Sequence, residues 1–135
     1  MESQAHIDLV KRTYAYIEKL VPEDKKCLIQ TDSDGDNSSI RVIGGYIPDV
    51  YYNFNGKLFI GEAKTMNDFE REHSKKQFKA YIDECKSFEG EAQIVVSVPW
   101  QLVATAKNYF IRENRINGQN VSIVVVDETG RAFEI

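Results

Sequence analysis

The sequence predicts an α/β domain with a mixed central sheet and helices on both faces. Three observations carry that expectation. Two uninterrupted apolar runs, AQIVVSV (92–98) and VSIVVVD (121–127), have the length and β-branched content of strands buried on both sides. A segment of helical period precedes each of them. Upstream, Asn55-Gly56 joins two further strand-like runs, the dipeptide favoured in two-residue hairpin turns. A hairpin followed by strand–helix–strand units mixes antiparallel with parallel pairing, and parallel crossovers bring helices onto the sheet.

The elements follow in order. Apolar residues at Ile7, Val10, Tyr14, Ile17 and Val21 form a helical stripe, so residues 4–21 are expected to be a helix, ended by Pro22 and the polar EDKK run. CLIQTD (27–32) reads as a short strand and DSDGDNSS (32–39) as an exposed turn-rich loop. That loop lacks the glycine and glutamate placement of a calcium-binding EF-hand. Strands are expected over about 46–54 and 57–64. Residues 67–88 are helical in period, with Phe78, Tyr81, Ile82, Cys85 and Phe88 inward and Glu89-Gly90 closing the helix. A third helix is expected over 100–114, with Trp100 as its packing anchor after Pro99 and Asn117-Gly118 ending the unit. RAFEI adds a short edge strand after Thr129-Gly130.

At 135 residues the chain is long enough for one domain, 1–135, to bury a core without disulfide or metal staples. No apolar run approaches the roughly 20 residues of a membrane span. MESQAHIDLVKR also lacks the basic-then-apolar layout of a signal peptide, so a cytoplasmic location is expected. Cys27 and Cys85 have no CxxC spacing and are expected to be buried thiols in a reducing compartment. The net charge of −4 gives no whole-molecule attraction to nucleic acid, although Lys75, Lys76 and Lys79 share one predicted helix.

The chemistry concentrates in IPDVYYNFNGKLFIGEAK (47–64). Glu62 and Lys64, two apart on one strand, share a face with Leu58 and Ile60, so the charges extend an apolar row. A hairpin turning at Asn55-Gly56 sets Asp49 close to opposite Glu62, and the three side chains converge. Two carboxylates make an all-oxygen donor set suited to Mg²⁺ or Mn²⁺. Such a cation polarises a phosphodiester and lowers the pKa of its water, while Lys64 orients that water or stabilises developing charge. The ordinary alternative is a solvated Glu-x-Lys face. Against it stand the apolar row and the strand-end position, where α/β sheets present their sites.

Pro48-Asp49, a gap of 12 residues and then Glu62-Ala63-Lys64 resembles the PD-(D/E)XK nuclease superfamily. The order of elements over about 4–98 resembles its restriction-endonuclease-like core, which leaves the last helix and strands as peripheral additions. QFKAY places Gln77 and Tyr81 on one helical face. It looks like the Gln-x-x-x-Tyr element in the nuclease domains of bacterial recombination helicase-nucleases and lambda-type exonucleases. The resemblance implies that Gln77 holds the site or a phosphate and that Tyr81 braces it; from pattern alone, Tyr81 is core and Gln77 its border. The superfamily also places an acidic residue or a histidine on the first helix, for which His6, Glu18 and Glu2 are candidates, His6 being preferred.

Arg41, Lys75 and Lys76 are candidate phosphate contacts, and His73 and Ser74 candidate cleft residues. The implied activity is Mg²⁺- or Mn²⁺-dependent hydrolysis of DNA, with RNA left open. So small a chain would select substrate by structure, by forming a homodimer or through a partner, as resolvase-like and phage or mobile-element nucleases do. The alternative is a catalytically silent nucleic-acid-binding or accessory protein of the same fold. An unrelated metal-assisted hydrolase is a fainter third reading.

Overall fold

The computed structural model describes residues 3–32, 40–117 and 121–135; Glu2, Gly118 and nearly all of the DSDGDNSS loop lie outside them. The elements are α1 (Gln4–Leu20), a 3₁₀ turn (Glu23–Leu28), β1 (Gln30–Thr31), β2 (Val50–Phe54), β3 (Lys57–Ala63), α2 (Glu72–Ser87) and β4 (Glu91–Ser97). A second 3₁₀ turn (Trp100–Leu102) leads into α3 (Val103–Asn117), β5 (Ser122–Val126) and β6 (Ala132–Glu134). The strands form one six-stranded sheet in sequence order. The β3–β4–β5 pairings are parallel and the rest antiparallel, the mixed sheet that the sequence predicts.

Strand alternation divides the apolar side chains between two cores. Val50, Phe59, Val95 and Val124 pack with Ile17 of α1 on one face. Leu58, Ile60, Ile94, Val96 and Ile123 pack with Phe78 and Tyr81 of α2 and Phe110 of α3 on the other. Neighbouring residues therefore enter opposite cores, which is why β4 and β5 read as continuous apolar runs. At the hairpin, Asn55 (φ 53°) and Gly56 (φ 77°) both take the left-handed conformation of a type I′ turn. The register pairs Val50 with Gly61, so the next position outward sets Asp49 against Glu62.

Helix α1 begins where the Ser3 hydroxyl accepts the His6 N–H at 3.1 Å. Its buried row is Leu9, Thr13 and Ile17, and Ile7, Val10 and Tyr14 of the expected stripe only flank it. The cause lies on the facing strand. Gly61 presents no side chain, and a Cβ there would run into Thr13 Cγ2 and approach Val50 to 3.0 Å. The helix settles its small residue into that gap. Thr13 is tolerated in the interior because its hydroxyl hydrogen-bonds the Leu9 carbonyl at 3.0 Å and the Ser97 hydroxyl at 2.7 Å.

Several expectations are corrected. Residues 23–28 wind into a 3₁₀ turn where the sequence suggested the start of a strand, begun at Pro22 and carrying a Lys26–Glu23 ion pair. Cys27 is consequently exposed; Cys85 is buried, and both thiols are free. β2 starts at Val50 because Ile43 and Tyr46 instead close an isolated bridge across Gly44-Gly45. α2 starts at Glu72, after a turn in which Thr65 bonds the Asp68 carboxylate and Ser74 the Asp68 carbonyl. β5 lies inside the sheet and its side chains enter both cores, so the last helix and strands are integral, not peripheral. Trp100 is 63% exposed, and Leu102, Ala106 and Phe110 anchor this segment instead. With three residues per 3₁₀ turn, Trp100 and Leu102 cannot face the same way. Among the described residues, no helix is long and apolar enough to cross a membrane.

Replacing Gly61 by valine forces α1 off the sheet. The expected outcome is a loss of about 1–3 kcal/mol in the chemical denaturation free energy. A Gly61→Val midpoint equal to wild type would show that the helix does not depend on this contact.

Candidate active site

Asp49 stands just before β2, Glu62 near the end of β3 and Lys64 just beyond it, at the edge where the parallel strands end. All three are nearly shielded from water, at 7%, 4% and 8% exposure. The Asp49 carboxylate accepts the Ala63 N–H at 2.9 Å, which ties it to the partner strand. Its backbone carbonyl accepts the Asp32 N–H at 2.9 Å, so β1 holds it from the other side. These bonds make the convergence a consequence of sheet register.

Helix α2 closes the site from one face. Lys64 donates from Nζ to the Gln77 amide oxygen at 2.6 Å. The Gln77 amide nitrogen donates to the Tyr81 hydroxyl at 2.9 Å, and that hydroxyl donates to Glu62 Oε1 at 2.9 Å. Lys64 Nζ lies 3.8 Å from the other Glu62 oxygen, which completes a ring. The four-residue spacing of Gln77 and Tyr81 is what lets one helical face hold both the base and the acid of the strand motif.

Helix α1 reaches the site from the opposite face. His6 Nε2 lies 3.4 Å from Asp49 Oδ2, placed there by the Ser3 cap in the first turn. Glu18 is twelve residues further along, about 18 Å at helical rise, and lines a cleft with Thr129 and Gly130. Of the two described candidates, the structure brings His6 to the acidic pair and leaves Glu18 away from it.

The remaining candidates stand apart from this cluster. Arg41 binds Glu84 at 3.0 Å on the outer face of α2. Lys75 and Lys76 are exposed on the same helix, and His73 meets the Tyr46 ring edge-on. Ser74 is buried and spends its hydroxyl on the Asp68 carbonyl. Sequence reasoning missed Ser97. It pairs with Ala63 across the sheet, its carbonyl accepts the Lys64 N–H at 2.9 Å, and its hydroxyl meets Thr13. A lone serine inside IVVSV was the available signal.

The electrostatics divide the two carboxyls. Burial works to raise Asp49, but hydrogen bonds from His6, Glu62 and the Ala63 N–H outweigh it and hold the group below its ordinary value. Burial and the neighbouring Asp49 charge push Glu62 well above its ordinary value, with Lys64 opposing them. The two carboxyls are thus driven in opposite directions, so that a proton held by the pair favours Glu62, which hydrogen-bonds Asp49. Perturbed and opposed carboxyls of this kind mark functional sites more often than ordinary surface.

Two hard oxygen ligands at a strand end fit a small divalent cation, which would take the place of that proton. Among the described residues, no group of three or more His, Cys, Asp and Glu side chains forms a ready-made metal cage. A cation bound here would rely on water or substrate oxygens beyond Asp49 and Glu62, as Mg²⁺ sites commonly do. No protein-family model matches the chain, and neither a curated protein nor a solved structure shows significant similarity to it.

The raised Glu62 has a sign that can be checked. A folded-state pKa above the unfolded value stabilises the fold fully below the ordinary value of 4.5, and that stabilisation is lost as pH rises through the raised value. Glutamine cannot ionise, yet it can still donate to Asp49 and accept from Tyr81. Glu62→Gln is therefore expected to gain thermal stability over wild type on going from about pH 5 to about pH 8. A difference in melting temperature that stays constant or reverses over that range would contradict the raised Glu62.

Proposed function

We propose that this protein is a divalent-metal-dependent phosphodiester hydrolase acting on DNA, of the PD-(D/E)XK type that its strand motif resembles. The observation that supports it most is the buried ring Glu62–Tyr81–Gln77–Lys64 closed on Asp49. A solvated surface row would not bury a lysine and two carboxyls together.

Asp49 and Glu62 would hold Mg²⁺ or Mn²⁺ through their oxygens. When bound, the cation supplies Lewis acidity to the phosphodiester and lowers the pKa of a coordinated water. Lys64 offers a rotatable ammonium with three donors, of which Gln77 takes one. The others can meet negative charge developing on the phosphoryl oxygens. Gln77 and Tyr81 are positioning residues, fixing the lysine and the glutamate relative to each other. His6 plays the same part for Asp49 from α1.

The net charge of −4 favours a second reading, a silent accessory protein that keeps the fold. One assay separates them. Plasmid, linear and four-way-junction DNA are incubated with the protein in Mg²⁺, Mn²⁺ or EDTA. Cleavage is expected only with metal, and Lys64→Ala is expected to slow it by about 10²–10³-fold. Asp49→Ala is expected to abolish both cleavage and the rise in melting temperature that Mn²⁺ produces. DNA bound but left intact by wild type in every metal would favour the accessory role. Cleavage undiminished in the variants would place the chemistry elsewhere.

A further inference from the structure

Trp100 is the one tryptophan of the chain, and its side chain faces solvent. Its backbone is nonetheless fixed. Pro99 precedes it at φ −59°, and its N–H donates to the Glu128 carboxylate at 3.0 Å. A large indole that faces water from a fixed backbone gives up the burial that normally stabilises it and leaves its flat face open to a ligand.

Its place in the fold says which surface. The Lys64 N–H bonds the Ser97 carbonyl, so β3 and β4 end level with each other at the candidate site. Trp100 follows three residues later at that same edge. Exposed Met66 follows β3 on one side. On the other, the turn after β5 carries exposed Arg131, with the Arg12 guanidinium beside Gly130. The edge thus brings together the acidic pair, one aromatic platform, two guanidinium groups, of which Arg131 lies over the Phe133 ring, and the carboxylates of Asp127 and Glu128.

We propose that Trp100 stacks on an unpaired base next to the scissile phosphate, so that nucleic acid reaches the acidic pair as a single strand. This rests on the hydrolase reading above and names the form of its substrate. The flat face of an indole accepts any base, while Arg12 and Arg131 accept phosphates without reading sequence. A base-paired duplex keeps its base faces stacked inside, whereas an unpaired nucleotide offers one freely. Adjacent strands lie ~4.8 Å apart, so a platform after β4 reaches a base flanking the group held at β3. Asp127 is tied up by its own turn and Glu128 by the Trp100 N–H, which leaves the two guanidinium groups as the cations open to a phosphate and favours nucleic acid over an apolar protein partner.

The single tryptophan makes the test direct. Its emission is recorded in EDTA, without hydrolysis, against a mixed-sequence single-stranded DNA and the blunt duplex of the same sequence. Saturable quenching by the single strand is expected, with binding to the duplex weaker by about fivefold or more. Binding is read separately by the anisotropy of a labelled strand. By that readout Trp100→Ala is expected to weaken single-strand binding about tenfold, and Trp100→Phe to recover most of it. Because the side chain is exposed, both variants are expected to keep the wild-type melting temperature.

Anisotropy binding with unchanged emission, or wild-type affinity in Trp100→Ala, overturns the stacking and leaves the hydrolase reading standing. Quenched binding followed by no cleavage in any metal keeps the stacking and removes the hydrolase. Failure of both DNA forms to bind removes the stacking, and the cleavage assay with metal then decides the hydrolase reading alone.

Discussion

Two carboxyls set opposite each other in a buried hairpin cannot both be charged at low cost, and the rest of the site answers to that constraint. At the few ångströms that separate such groups, like-charge repulsion in a protein interior is a matter of several kcal/mol. The chain eases it by favouring the charge on Asp49 and the proton on Glu62. The Ala63 N–H and His6 both act on Asp49, where they stabilise the anion. Burial acts on Glu62, where it favours the acid. The asymmetry is built from backbone register and two helices, and no single residue creates it.

That asymmetry requires close approach from both faces. α1 can bring His6 to Asp49 only if the helix lies deep on β3, and Gly61 opposite Thr13 provides the room. Ser97 then secures the depth, binding Thr13 through its hydroxyl and Lys64 through its carbonyl. α2 brings Tyr81 and Gln77 from the other face, with Phe78 between them packed in the core beside Tyr109 and Phe110. The site is therefore as rigid as the two cores that flank it.

Which parts of this were legible follows from how local each cause is. The meeting of Asp49 and Glu62 depends on one Asn-Gly turn and a period of two, so the sequence showed it. The common face of Gln77 and Tyr81 depends on a period near four, and it showed as well. What the hydroxyl of Tyr81 bonds depends on where α2 lands, and that takes the folded chain. The stripe of α1 meets the core through Val10, Tyr14, Ile17 and Val21, but its deepest point at Thr13 is not legible, because a glycine on a distant strand selects it and leaves no mark in the helix's own pattern. The pairing of Arg41, a candidate phosphate contact, with Glu84 joins residues 43 apart and leaves no local pattern. The chemical nature of Trp100 suggests the packing anchor of the third helix, but the 3₁₀ turn it begins buries Leu102 in its stead.

The charges of the buried cluster connect its resting state to the proposed chemistry. Asp49, Glu62 and Lys64 together carry no net charge while Glu62 keeps its proton, and this makes their burial tolerable. Exchanging that proton for a divalent cation leaves one net positive charge in the same small volume. A phosphodiester brings one negative charge and restores neutrality, so the cluster favours that group over an uncharged ligand once the proton has gone. Lys64 is central to this accounting. It lies closer to the neutral Gln77 amide, at 2.6 Å, than to Glu62, at 3.8 Å. A lysine bound tightly by the carboxylate would have its charge already spent. Held by an amide, it keeps that charge unneutralised, and the proposed chemistry would draw on it through the glutamine at residue 77.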